Sequence, residues 1–129
     1  MSSYRILVVD DYPDAAEVIG QLLSLLGHEV AIAVSGAEAV ATATTFQPTL
    51  ALIDIGLPDI SGYEVARQLR TLAADRPVYL IAISGWAEPK DRVQALAAGF
   101  DHHVLKPIDL VIAERMLSRA HTELAARTR

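Results

Sequence analysis

The chain has 129 residues, of which 52% are hydrophobic and 21% charged, and its formal net charge is -5. This length suits a single domain, and the composition is typical of a compact globular protein rather than a disordered one. The absence of cysteine excludes disulfides, thiolate metal ligands and thiol nucleophiles. No basic cluster suggests direct nucleic-acid binding, and no apolar run approaches the roughly 18 to 20 residues that span a bilayer, so no membrane insertion is expected.

Short apolar runs alternate with helix-like segments five times along the chain. The first run, residues 5–9, is rich in branched side chains and is closed by Asp10, which predicts a strand buried on both faces. Pro13 suits the first turn of the helix that follows, and Gly27 supplies its end. Ser35 and Asp109 are expected to cap the second and the last helix. The predicted strands are 5–9, 29–34, 50–54, 78–83 and 102–105, and the predicted helices are 13–26, 36–46, 62–73, 89–98 and 110–125.

Two of the predicted helices carry apolar residues at helical spacing, which indicates the faces that they bury. The expected stripes are Ala15, Ile19, Leu22 and Leu26 on the first helix, and Leu110, Ala113, Leu117, Ala120 and Leu124 on the last.

The regular alternation of strands and helices predicts an α/β fold with a five-stranded parallel sheet covered by helices on both faces. In the flavodoxin-like strand order 2-1-3-4-5, strands one and three are neighbours where the order reverses. We expect one domain over residues 4–125, flexible ends at 1–3 and 126–129, and no effector domain.

Polar residues follow the predicted strands at the points where these end. Asp10 and Asp11 close the first strand, Asp54 the third and Ser84 the fourth, and Lys106 follows the fifth. Because the carboxyl ends of parallel strands open on one edge of the sheet, where α/β proteins bind ligands, these side chains are expected to meet in one crevice.

The residue types in this crevice indicate a chemistry. Three carboxylates so close together repel one another unless a cation neutralises them, and Mg²⁺ prefers such oxygen ligands together with phosphate oxygens. Lys106 and Ser84 add a cation and a hydroxyl, so a group with negative oxygens could lie between the metal and Lys106. That arrangement suits phosphoryl transfer with Asp54 as the nucleophile.

Four sequence elements in this order resemble the receiver domain of bacterial response regulators, and the resemblance covers nearly the whole chain. They are VVDD at 8–11, LIDIGLPDISGYE at 52–64, ISG at 83–85 and LKP at 105–107. The stretch GFDHHVLKP is similar to receivers of hybrid histidine kinases and to single-domain regulators. The resemblance implies a module of a two-component phosphorelay that signals by conformational change, acts in the cytoplasm and binds an unidentified downstream protein.

The resemblance also implies how the site works. A histidine kinase or a histidine phosphotransfer domain would donate a phosphoryl group to Asp54. Mg²⁺, with Mn²⁺ as an alternative ion, would be held by Asp11 and Asp54, by Asp10 mainly through water, and by the backbone carbonyl of Gly56. No enzymatic activity is expected beyond the domain's own phosphorylation and dephosphorylation.

The remaining implied roles concern the far side of the site. Ser84 would hydrogen-bond the phosphoryl group and Lys106 would pair with it, and Lys106-Pro107 would be a cis peptide. The family's switch residue lies three positions before the lysine and is usually aromatic, but here it is His103. We hypothesise that the imidazole of His103 takes part in the switch with Ser84 and makes the output pH-sensitive.

Other functions remain alternatives at this point. A phosphohydrolase with an aspartyl-phosphate intermediate would commonly carry an acid two residues after its nucleophile, where this chain has Gly56. A flavodoxin-like cofactor binder would need a phosphate loop after the first strand, where this chain has acids. The sequence suits both a stand-alone receiver and one excised from a hybrid kinase, and Trp86 suits both plain packing and a place at the site entrance.

Overall fold

The structure is a computed structural model, and it describes residues 3–85 and 89–127. Strands and helices alternate throughout, as the apolar runs predict. The strands are β1 (Arg5–Val9), β2 (Glu29–Ala33), β3 (Leu50–Asp54), β4 (Tyr79–Ser84) and β5 (His102–Leu105). The helices are α1 (Pro13–Leu25), α2 (Gly36–Phe46), α3 (Gly62–Ala73), α4 (Pro89–Ala98) and α5 (Leu110–Arg127).

The strands form one parallel sheet in the order β2-β1-β3-β4-β5, which confirms the predicted α/β fold. Helices α1 and α5 cover one face of the sheet with one apolar cluster, and α2, α3 and α4 cover the other face with a second. The three central strands are therefore buried on both sides, which explains their continuous apolar sequences. The less apolar β2 and the short β5 form the two edges.

Several element ends differ from the predicted ones by one or two residues. Helix α1 and strand β2 each end one residue early, and β4 begins and ends one residue late. Helix α5 runs two residues further, to Arg127. Trp86 and residues 1–2 and 128–129 lie outside the described residues, so the predictions that concern them remain predictions.

The apolar stripes need two corrections. Helix α1 buries Ile19 as predicted, but its other buried residues are Ala16, Gly20 and Leu23, so its inward face is turned by about one residue from the predicted stripe. Ala15 is only half-buried, whereas Leu22 and Leu26 pack at the side of the core. On α5, Leu110 is the first residue of the helix and is 49% exposed, whereas the other four predicted residues are buried.

Asp101, directly before β5, joins three elements of the fold, and no local sequence pattern predicts this role. Its carboxylate accepts hydrogen bonds from Arg70 on α3 (2.6 Å), from Arg127 on α5 (2.5 Å) and from the backbone N–H of Leu80 on β4 (2.8 Å). Burial raises the pKa of Asp101, but the hydrogen bonds and charges of Arg127, the Leu80 N–H and Arg70 together lower it by more. The pKa of Asp101 therefore lies below its usual value. The ionised carboxylate thus fastens the far end of α5 to the sheet.

Candidate functional site

The three predicted acids meet at the carboxyl edge of the sheet. Strands β1 and β3 are paired in register, with Val9 opposite Ile53, so Asp10 and Asp54 follow at the same height. One carboxylate oxygen each from Asp10, Asp11 and Asp54 lies within 4.8 Å of the other two. The sequence prediction that these residues converge is therefore confirmed as geometry.

Asp10 is the most deeply buried of the three, with no exposed surface. Its Oδ1 accepts a hydrogen bond from the backbone N–H of Tyr12 at 3.0 Å, which fixes the side chain at the start of α1. Its Oδ2 lies 2.8 Å from Lys106 Nζ but accepts no well-aligned hydrogen bond from any described residue. A buried carboxylate oxygen with incomplete hydrogen bonding favours a further cation beside it.

The Asp54 carboxylate ends β3 and is positioned from two sides. Its Oδ1 accepts a hydrogen bond from the backbone N–H of Gly56 at 2.7 Å, and its Oδ2 lies 2.9 Å from Lys106 Nζ. Its side chain keeps 13% of its surface exposed, so a small group can reach it from solvent. Asp54 is thus held in a fixed orientation and remains accessible.

Lys106 lies between the Asp10 and Asp54 carboxylates, immediately after β5. Partial burial lowers its pKa, but the two carboxylates raise it more, so the ammonium stays charged. The Lys106-Pro107 peptide bond is cis, as the resemblance implied, and the Lys106 N–H donates to the Ser84 carbonyl at 2.8 Å. The lysine is anchored to the end of β4 through its backbone and to the acids through its side chain.

Ser84 and His103 are joined side chain to side chain. Ser84 ends β4 and is buried, and its Oγ lies 2.8 Å from Nε2 of His103 on β5. Burial lowers the pKa of His103, and Arg92 on α4 lowers it further while Asp91 opposes this. The ring is therefore neutral at pH 7. The structure joins the two predicted switch residues directly.

The loop between β3 and α3 has a support that sequence reasoning missed. Asp59 accepts hydrogen bonds from the backbone N–H groups of Gly36 (2.9 Å) and Ala37 (3.0 Å), at the start of α2. These bonds lower the pKa of Asp59 to about 2. No local pattern predicts them, because donor and acceptor are more than 20 residues apart in sequence. The loop after Asp54 is thereby tied to a neighbouring helix.

The start of α3 approaches the site even more closely. A Cβ on Gly62 would lie 2.5 Å from the Asp54 carbonyl oxygen and 2.5 Å from Ile55 Cα. Both are backbone atoms that cannot move aside, so only glycine fits here. Ser61 caps the helix by accepting a hydrogen bond from the Glu64 N–H at 3.2 Å.

The acid cluster fits a divalent cation. Its ligands are hard carboxylate oxygens, one of them buried and incompletely hydrogen-bonded, and Mg²⁺ favours such donors. Asp10, Asp11 and Asp54 could hold the ion. The predicted role of the Gly56 carbonyl remains a prediction, since the structure places only its N–H on Asp54.

Comparison with known proteins agrees with these features. The family model described as "Response regulator receiver domain" matches residues 6–118. The chain is 40% identical over 114 residues to the transcriptional regulatory protein PrrA of Mycobacterium bovis, covering 88% of this chain and 47% of PrrA. It is 33% identical over 109 residues to an uncharacterized 14.6 kDa protein of Leptolyngbya boryana, covering 84% of this chain and 83% of that one. The chain spans about half the length of PrrA.

Solved structures give the same result for the fold. A CheY-like response regulator receiver domain protein from Methanospirillum hungatei JF-1 superposes with a TM-score of 0.83 at 32% identity, over 98% of both chains. Chemotaxis protein CheY4 of Vibrio cholerae superposes with a TM-score of 0.86 at 22% identity, over 92% of this chain and 99% of that one. Within the described residues, no helix has the length and apolar character needed to cross a membrane.

Proposed function

Because the chain belongs to the response regulator receiver domain family, we propose that it accepts a phosphoryl group on Asp54 in a Mg²⁺-dependent reaction. The donor is a histidine kinase or a histidine phosphotransfer domain, and the output is a conformational change read by a downstream protein. The observation that carries the proposal is the Asp54 carboxylate, held by Gly56 and Lys106 beside two further acids.

The proposed transfer balances as a simple displacement. The phosphorus–nitrogen bond of a phosphohistidine breaks, a phosphorus–oxygen bond to the Asp54 carboxylate forms, and the donor imidazole keeps the electron pair of the broken bond. Charge gathers on the phosphoryl oxygens as the group moves, so nearby cations and hydroxyl donors lower the barrier. The Lys106 ammonium and the Ser84 hydroxyl would supply these interactions from one side.

The three acids would stabilise the phosphoryl group from the opposite side, through a bound cation. Asp10, Asp11 and Asp54 would hold Mg²⁺, or Mn²⁺ in its place. The bound ion supplies positive charge for the phosphoryl oxygens and offsets the mutual repulsion of the carboxylates. Before the ion binds, Lys106 is the one cation among the described residues that pairs with Asp10 and Asp54.

The chain would act as a signalling module and not as an enzyme on external substrates. Gly56 stands two residues after Asp54 and offers no acid for a leaving group, so hydrolysis of external phosphate esters would be poorly supported. The domain would catalyse only its own phosphorylation and dephosphorylation. The proposed setting is the cytoplasm, and both a stand-alone receiver and part of a longer protein fit this function.

The test is phosphorylation by a small donor. We expect acetyl phosphate with Mg²⁺ to place one acid-stable, base-labile phosphoryl group on Asp54, detected by intact mass and peptide mapping. EDTA should abolish the product, and Asp54→Asn should give none. Asp75→Asn is the matched control, because Asp75 is an exposed aspartate after α3.

Two results would contradict the proposal. One is labelling of Asp54→Asn at the wild-type stoichiometry. The other is sustained turnover of phosphate esters by the unmodified chain, which would favour a hydrolase.

A further inference from the structure

The loop of residues 55–61, which we call the β3–α3 loop, leads from Asp54 in the acid cluster to the start of α3. No backbone-to-backbone hydrogen bond between described residues involves positions 56–60. The residues of this loop are exposed or half-buried apart from Leu57, which is 8% exposed and packs in an apolar cluster. The position of the loop therefore depends on a few side-chain contacts.

Asp59 joins the β3–α3 loop to helix α2. Its Oδ1 accepts a hydrogen bond from the Gly36 N–H at 2.9 Å, and its Oδ2 accepts one from the Ala37 N–H at 3.0 Å. Ser35 Oγ accepts the next N–H of the helix, that of Glu38, at 3.1 Å. The first N–H groups of a helix have no partner within the helix, so the two side chains together complete the start of α2. Asp59 uses both of its carboxylate oxygens in this contact.

The loop and the helix also touch directly, at Gly36. A Cβ on Gly36 would lie 2.8 Å from Ile60 Cβ and 3.1 Å from the Ile60 carbonyl oxygen, so glycine permits this close approach. The backbone N–H groups of Ala37, Gly36 and Ile60 lower the pKa of Asp59 to about 2. The carboxylate is therefore ionised at neutral pH and lies against the positive end of the helix dipole.

At its other end, the loop reaches the acid cluster through Gly56. The Gly56 N–H donates to Asp54 Oδ1 at 2.7 Å, three residues before Asp59. Gly56 is exposed and has no side chain to fix it, so the direction of its N–H depends on the neighbouring residues of the loop. A displaced loop would release Asp54 Oδ1, whereas Oδ2 would keep its contact with Lys106. The Asp54 carboxylate could then turn about that single contact.

The link through Asp59 completes a series of contacts around the site. The backbone N–H of Asp10 donates to the Ala33 carbonyl at the end of β2, at 3.1 Å. Helix α2 begins three residues after Ala33 and binds Asp59. The β3–α3 loop then leads back to Asp54, which lies beside Asp10 in the acid cluster. Asp59 is thus the side chain that connects α2, and through it the end of β2, to the loop.

We propose that Asp59 is a positioning residue for the acid cluster. By tying the β3–α3 loop to the start of α2, it keeps the Gly56 N–H on Asp54 Oδ1. It thereby holds the Asp54 carboxylate in the orientation that serves cation binding and phosphoryl transfer. Asp59 itself does not touch the reacting atoms. The inference rests on the proposed function, because it names a further residue on which that reaction depends.

The competing explanation is a plain helix cap. In that case Asp59 would stabilise α2, and its loss would not change the acid cluster. Ser35 offers the matched comparison, because it caps the same end of α2 but makes no side-chain hydrogen bond to the β3–α3 loop among the described residues. Glu38, in the first turn of α2, offers a charge control, since Glu38→Gln removes a carboxylate from the same region.

The experiment measures Mn²⁺ binding to the full chain from the electron paramagnetic resonance signal of the free ion. We expect Asp59→Ala to raise the Mn²⁺ dissociation constant about tenfold, since loss of a group that orients a metal ligand typically weakens binding by this factor or more. Asp59→Asn keeps one acceptor oxygen and should lie between Asp59→Ala and the wild type. Ser35→Ala and Glu38→Gln should bind Mn²⁺ as the wild type does.

A second readout follows the contact between Gly56 and Asp54 without any metal. In ¹H–¹⁵N spectra of the metal-free chain, the Gly56 amide signal should shift in Asp59→Ala and keep its position in Ser35→Ala. Circular dichroism checks that each variant folds. If Asp59→Ala does not fold, Asp59→Asn carries the same comparison.

Four results would overturn the inference. They are no Mn²⁺ binding by the wild type, an unchanged dissociation constant in both Asp59 variants, equal weakening in Ser35→Ala, or equal weakening in Glu38→Gln. Acetyl phosphate labelling of Asp54 is measured on the same samples. Labelling of the wild type with unchanged Mn²⁺ binding in the Asp59 variants refutes the positioning role alone. Weakened Mn²⁺ binding in these variants without labelling of the wild type refutes the proposed phosphorylation alone.

Discussion

The imidazole of His103 lies against the hydroxyl of Ser84, with 2.8 Å between Nε2 and Oγ. The other ring nitrogen, Nδ1, is buried and has no hydrogen-bond partner among the described residues. A buried N–H without an acceptor is costly, so the neutral ring is expected to carry its proton on Nε2 and donate to Ser84. The serine proton then remains available for a phosphoryl oxygen.

The first prediction concerns this donor. His103→Phe removes it and leaves Ser84 Oγ without a fixed partner, so the acetyl phosphate labelling rate of Asp54 should fall several-fold. His103→Gln keeps a side-chain N–H and should recover most of the rate. Equal rates for His103→Phe and the wild type would show that the hydrogen bond does not position Ser84.

A second prediction concerns pH. The folded-state pKa of His102 and of His103 is lowered, so the unfolded chain binds protons more readily at these positions. Their contribution to stability is present above the unfolded value of about 6.5 and is lost as the pH falls below it. Urea unfolding at pH 7.5 and 5.5 should show a larger loss for the wild type than for His102→Gln/His103→Gln. An equal loss of unfolding free energy in the wild type and the double variant would contradict the lowered pKa values of His102 and His103.

A third prediction concerns Asp59, whose pKa is lowered to about 2. A carboxyl with a lowered folded-state pKa stabilises the fold above its unfolded value and loses that effect as the pH falls toward the folded one. Asp59→Asn should therefore lower the urea midpoint at pH 7, and the difference from the wild type should shrink between pH 4 and pH 2. Asp75→Asn, which removes an exposed carboxylate after α3, is the charge-matched control.

The fourth prediction is that Mg²⁺ stabilises the fold through the acid cluster. At a free concentration about ten times the dissociation constant, a bound ion adds about 1.4 kcal/mol to the free energy of unfolding. Thermal unfolding with Mg²⁺ and with EDTA measures this difference. Asp11→Asn should reduce the Mg²⁺ effect, whereas Lys106→Met should strengthen Mg²⁺ binding, because the competing ammonium is gone. Lys90→Met is the charge-matched control.

A fifth prediction follows from the close approach at the start of α3. Gly62→Ala would force a methyl group onto the backbone of Asp54 and Ile55, at a cost of about 2 kcal/mol in unfolding free energy. Among the described residues, a Cβ on Gly85 meets nothing within 4 Å, so Gly85→Ala should cost little. Comparable denaturation midpoints for the two variants would contradict the packing described here.

Sequence reasoning succeeded where the determining pattern is local. Strand β3 was predicted with its observed ends because an apolar run stops at an acid, and α2 because Ser35 accepts a hydrogen bond from the Glu38 N–H at its first turn. The meeting of the acids followed from the parallel topology, which places all carboxyl ends of the strands on one edge.

It failed where partners are distant in sequence. Nothing near Asp101 predicts that it joins Arg70 and Arg127, and nothing near Arg92 predicts that it faces α5 across β5. The sequence likewise showed no basic cluster, because Arg92 lies on α4 and Arg115 and Arg119 lie on α5, and the three line one cavity only in the fold.

The chemical groups all lie at the margin of the fold: Asp54 and Ser84 are the last residues of their strands, and Asp10 and Lys106 follow theirs by one. None of these four belongs to either apolar cluster. The residues that form the apolar clusters and the residues that form the site can therefore change independently in evolution. A related chain that had lost Asp54 would be expected to keep this fold, but it could not be phosphorylated at this position. Any partner protein that it bound would then be bound regardless of phosphorylation.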